Sequence, residues 1–142
     1  MKRPIEKIKV KGRFLGVFVL IIIQFLVGFI HIFLGSILLL GIYSSPIVLS
    51  STPQMVYSLY TLIYGILVAI FTYLFWKEKR IGWIGTAAIS IFIIIVDILA
   101  IFDLLNFLSI PKMAGLGEIP YSLFVLFYLF EDHIRLQYKI EF

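Results

Sequence analysis

Residues 14–43 read FLGVFVLIIIQFLVGFIHIFLGSILLLGIY, thirty residues without a single Lys, Arg, Asp or Glu. As an α-helix this run is about 45 Å long, against roughly 30 Å of hydrocarbon in a bilayer, so it is expected to span a membrane and to tilt, kink or project beyond it. Its only side chain that titrates near neutral pH is His31, inside the segment QFLVGFIHIFLG from Gln24 to Gly35. At 100° per residue, Gln24, Gly28, His31 and Gly35 fall within about 60° of one another, and Phe, Leu, Ile and Val cover the rest of the cylinder. Lipid offers no hydrogen-bond partner to an amide or an imidazole, and small residues let a second helix approach closely, so this stripe should face protein. Gly28 and Gly35 read as packing notches. His31 reads either as a satisfied interior polar group or as a functional one.

Composition places the whole chain in the membrane class: 142 residues, 62% hydrophobic and only 14% charged. The net charge of +4 does not point to nucleic acid, because the basic residues sit in short clusters beside apolar runs, where membrane topology explains them. With no cysteine and two widely separated histidines, no thiol nucleophile, Cys-ligated metal or dedicated zinc site is expected. No catalytic motif and no cofactor signature is legible, and two axial haem ligands are not expected from a chain with one histidine in an apolar span.

The expected architecture is an all-α integral membrane protein, a bundle of four transmembrane helices. Residues 1–13, with Lys2, Arg3, Lys7, Lys9, Lys11 and Arg13 against Glu6, form a basic cytoplasmic arm. It resembles the positive region of a signal peptide, but the apolar run after it is too long, so an uncleaved anchor is expected. The transmembrane domain covers 14–136, with helices over 14–43, 54–76, 81–108 and 119–136, and 137–142 form a cytoplasmic tail. The Ser/Pro stretch 43–53 separates the first two helices. The cluster Lys77, Glu78, Lys79, Arg80, bracketed by Trp76 and Trp83, makes a tight hairpin at headgroup level. Residues 112–119, KMAGLGEI, read as a loop, with Pro120 in the first turn of the fourth helix. Asp103 and Asn106 read as wetted groups at the outer boundary.

The N-terminal arm, the second loop and the C-terminal tail hold eleven of the twelve Lys and Arg residues, and Lys112 is the exception. That asymmetry and an even number of spans both place the two termini in the cytoplasm of a multi-pass cell-membrane protein.

A repeat is also legible. YSLYTLIY at 57–64 and YSLFVLFY at 121–128 agree at five of eight positions, 64 residues apart. Compositional chance among Leu, Phe and Tyr is the alternative. Two tandem helical hairpins related by a pseudo-two-fold axis along the membrane normal would account for it. At a shift of 66, Gly16 falls on Gly82 and His31 on Asp97.

His31 lies 17 residues beyond Phe14 and Asp97 16 beyond Ile81, so each stands about 25 Å from the inner boundary. Gly82, Thr86, Ser90 and Asp97 share one face of the third helix, within about 80°. A lone carboxylate in hydrocarbon costs several kcal/mol, so Asp97 should be neutral, paired with His31 or Gln24, or wetted. Tyr57 and Tyr60 enter from the outer side at matching depth and can offer hydroxyls. Two functions follow. The first is a non-enzymatic membrane component, an accessory, assembly or interaction protein, with the bilayer and a membrane-protein partner or a second copy as its contacts. The second is a small proton-coupled transporter that uses His31 and Asp97.

Overall fold

The computed structural model describes residues 9–10, 13–44, 52–105 and 110–140. Most of the basic arm, most of the Ser/Pro connection and Asn106 lie outside them. Among the described residues the structure is helices joined by turns, apart from a two-residue antiparallel pairing of β1 (Lys9–Val10) with β2 (Arg13–Phe14). Five described helices follow: α1 (Leu15–Ser44), α2 (Thr52–Trp76), α3 (Arg80–Ile101), α4 (Lys112–Leu129) and the short α5 (Asp132–Gln137). Three are long and apolar enough to cross a bilayer, over Leu15–Gly41, Pro53–Trp76 and Arg80–Ile101. α4 has 18 residues, about 27 Å of helix.

Successive helices pack on one another, α1 most extensively on α2, then α3 on α4 and α2 on α3. Lipid tails are as apolar as Leu, so close packing and polar contacts, rather than the hydrophobic effect, hold such helices together. Glycines supply the closeness. A Cβ on Gly35 would lie 2.7 Å from the Leu62 backbone nitrogen, and one on Gly65 2.6 Å from that of Ile32. Gly28 sits against the Gly65 carbonyl in the same α1–α2 seam. At the α2–α3 turn, Gly82 lies directly on the Phe75 backbone. Large side chains point outward instead: Phe29 is 68% and Phe127 76% exposed, as suits a surface solvated by acyl chains.

Three described helices end where the backbone turns left-handed at a residue that is not glycine, α5 among them at Lys139 (φ 56). Glu78 (φ 55) closes α2, with the Glu78 N–H donating to Phe75 O and the Lys79 N–H to Leu74 O, both at 3.0 Å. Asp103 (φ 59) closes α3 in the same way, through Ala100 O at 3.1 Å and Leu99 O at 2.9 Å. This paired-bond motif satisfies carbonyls that the helix end would leave bare. α3 therefore stops at Ile101 and not at 108. Asp103 then pairs with Lys112 Nζ at 2.6 Å, tying the end of α3 to the start of α4 at a solvated edge.

The fourth helix corrects the expected loop at 112–119. Pro111 is the N-cap, its carbonyl accepting from Ala114 N at 2.9 Å, and helix runs straight through Pro120. Pro120 cannot donate to the Leu116 carbonyl, but the helical phase survives it. Gly115, Ser122, Val125 and Leu129 are buried and Glu118 half-buried, at alternating spacings of three and four. The helix also ends sooner than expected. α5 turns back beneath the bundle: Tyr138 stacks on Phe75 at 4.4 Å and 3°, and its hydroxyl donates to Phe75 O at 2.9 Å. Ile134, Tyr138 and Ile140 join Val17, Leu20, Ile21, Phe75, Val125 and Leu129 in the main hydrophobic core.

Trp83 belongs to that core rather than to a headgroup belt. It is 3% exposed, and its indole N–H donates to Leu129 O at 3.1 Å. That carbonyl lies in the last turn of α4, where no intrahelical donor remains, so the tryptophan caps the helix from the side.

Candidate functional site: an ionisable cluster away from the basic end of the bundle

Moving away from the basic end, polar and apolar layers alternate. The hydrophobic core comes first. Above it, Gln24, Thr72, Thr86, Ser90 and Ser122 are buried polar side chains drawn from all four long helices. Thr72 Oγ1 donates to Gln24 Oε1 at 3.1 Å and to Val68 O at 2.6 Å. A second apolar layer of Tyr64, Val68 and Ile93 follows. Above that layer lie the ionisable groups.

His31 is held by two contacts. Nδ1 lies 2.8 Å from Val27 O, and Nε2 lies 3.4 Å from Glu118 Oε1 on α4. A carbonyl can only accept, so Nδ1 carries a proton and donates it to Val27. For the long contact to Glu118 to be a hydrogen bond, one further proton must lie on Nε2 or on the carboxyl. With it on Nε2 the pair is ionic; with it on the carboxyl the pair is neutral and the acid donates to the ring. Without it, a carboxylate would face the imidazole lone pair. Tyr64 fixes the ring from below, edge-on at 4.8 Å, and stacks on Tyr60 at 6.4 Å.

Asp97 is 2% exposed and lies against α4 where that helix has no side chain: a Cβ on Gly115 would come within 3.2 Å of Asp97 Cβ. Its Oδ2 finds no hydrogen-bond partner among the described residues, and neither does the buried Tyr60 hydroxyl. The aspartate is close enough to interact electrostatically with both His31 and Glu118, and Tyr57 and Tyr60 feel both acids. The structure thus brings His31, Asp97, Tyr57 and Tyr60 into one neighbourhood and gives the direct imidazole contact to Glu118. Gln24 belongs to the layer below. Gly28 and Gly35 of α1 and Gly82 of α3 pack against the α2 backbone, and Thr86 and Ser90 lie in the central polar layer.

The sequence reading of 112–119 as a loop passes over Glu118. The signal for it was the continuous three-and-four spacing through Gly115, Glu118, Ser122, Val125 and Leu129, which outweighs one proline. Among the described residues, no group of three or more His, Cys, Asp or Glu side chains is arranged to hold a metal ion. The chain matches no protein-family model, no curated protein and no solved structure.

Proposed function

We propose that this is a four-span membrane protein with both termini in the cytoplasm, acting as a non-enzymatic component that docks to a membrane partner or to a second copy of itself. The observation that carries this reading is how the interior is filled. Glycine backbones touch, Gln24 and Thr72 bond across helices, and a polar cavity among the described residues, bordered by Gln24, Thr86 and Tyr121, has a volume of about 10 Å³. Two larger hollows among the described residues lie on the apolar flanks. One of about 410 Å³ runs along Phe25 and Phe29 of α1, and one of about 300 Å³ lies beside Phe127 of α4. The pseudo-two-fold repeat is part of this proposal, and the closer pairing of α1 with α2 and of α3 with α4 supports it. Gentle solubilisation and purification from native membranes tests the role: a stoichiometric partner or a stable homo-oligomer is expected, and a solitary monomer would count against it.

A second reading, a small proton-coupled transporter, is favoured by one observation. Three ionisable groups from three helices, His31, Asp97 and Glu118, gather in the outer half above a closed inner end. Such groups are costly inside a membrane and commonly mark proton or substrate paths. Proteoliposomes carrying a pH gradient distinguish the two: in this reading they drive solute flux that Asp97→Asn abolishes without unfolding the protein.

A further inference from the structure

The central polar layer encloses a cavity of about 10 Å³ whose polar wall is Gln24, Tyr64, Thr86, Ser90, Tyr121 and Ser122, side chains from all four long helices. Two hydroxyls on this wall lack partners. Thr86 is 3% exposed, and neither its Oγ1 nor the buried Tyr121 hydroxyl meets a hydrogen-bond partner among the described residues. Tyr121 approaches Gln24, yet not in hydrogen-bond geometry. Thr86 also departs from the habit of the other helical hydroxyls. Ser58, Thr61 and Thr72 each donate to the carbonyl four residues back, at 2.6–2.8 Å, whereas Thr86 does not.

A buried hydroxyl left bare costs about 1–3 kcal/mol, and native interiors rarely tolerate two side by side. A water needs about 10–15 Å³ of such space and two to four polar partners. We infer that the cavity between Thr86 and Tyr121 is a binding site for a single water molecule, which joins α3 to α4, with the Gln24 amide N–H from α1 as a third partner. Gln24 Oε1 is already taken by Thr72 of α2, so the water completes a hydrogen-bonded junction of the four long helices. The volume leaves no room for a second molecule, and Tyr64, which borders the cavity, also meets the His31 ring edge-on.

Water-edited solid-state NMR on the full-length protein in lipid bilayers tests the site. Magnetisation should pass from water to Thr86 and Tyr121 but not to Ile93 or Val125, which are fully buried among apolar groups. Failure of transfer at both hydroxyl residues would overturn the inference. Thr86→Val should reduce transfer at Tyr121 at least two-fold, and Thr86→Ser, which keeps the hydroxyl, should restore it. Unchanged transfer at Tyr121 in a folded Thr86→Val protein would show that the two residues do not share a water. If that variant does not fold, the wild-type measurement still decides whether water occupies the cavity.

Discussion

His31 of α1 and Glu118 of α4 meet at 3.4 Å, and because the other imidazole nitrogen is committed to the Val27 carbonyl, a hydrogen bond between them needs one shared proton. Deleting either partner leaves the other without this contact. His31→Ala and Glu118→Ala should each destabilise the protein by about 1–3 kcal/mol, with the double variant falling short of their sum by about 1 kcal/mol. Glu118→Gln can still donate an amide N–H to Nε2, so it should cost less than Glu118→Ala. Thermal unfolding in nanodiscs reads both effects, and additive losses would sink the coupling.

The glycines divide into two groups. Gly35→Ala pushes a methyl into the Leu62 backbone and should cost about 1–3 kcal/mol, the usual penalty of overpacking. Gly117 has nothing within 4 Å of where a Cβ would stand, so Gly117→Ala should be neutral or stabilise by up to about 1 kcal/mol through helix propensity. Equal effects at the two sites would mean that the α1–α2 contact does not set stability.

Tyr138→Phe removes the hydrogen bond to Phe75 O but keeps the stacked ring, and should cost about 1 kcal/mol. Tyr138→Ala removes the ring from a fully packed site and should cost about 3–5 kcal/mol. Unfolding with each variant, alongside trypsin cleavage after Arg135, separates release of α5 from loss of the bundle. Indifference to Tyr138→Ala would mean that α5 does not complete the inner core.

The topology can be probed cleanly because the chain has no cysteine. Single variants Met113→Cys, at a position 78% exposed, and Lys79→Cys, in the exposed α2–α3 turn, should label from opposite sides of the membrane, Lys79→Cys from the cytoplasm. Labelling of both from one side would remove the four-span arrangement.

The membrane character, the first two helices and the α2–α3 turn were legible because long apolar runs and charged turns leave little else for the chain to do. The lateral placement of Gln24 and Asp97 could be read from their small-residue stripes, since helical phase is fixed by spacing. Other features depend on tertiary context. Asp103 ends α3 early by accepting a left-handed backbone, a choice that Asp tolerates without advertising it. Pro120 looked like a start signal because the rule for a first-turn proline says nothing about the four residues before it. Trp83 has the composition of a headgroup-level ring, and only the position of the Leu129 carbonyl makes it a buried cap.

The glycine contacts also set how the bundle can deform. Gly28, Gly35 and Gly65 bind α1 and α2 backbone to backbone over about two turns, so these helices form a single plank. α3 meets that plank backbone to backbone at Gly82, beside the turn, and Asp97 stands fifteen residues further along α3. With a rise of 1.5 Å per residue, the arm between them is about 22 Å, and a rotation of about 5° at Gly82 displaces the carboxylate by about 2 Å. The Gly82 contact can act as a fulcrum: a small change at the turn becomes, fifteen residues along α3, a change in how far the Asp97 side chain stands from His31 and Glu118.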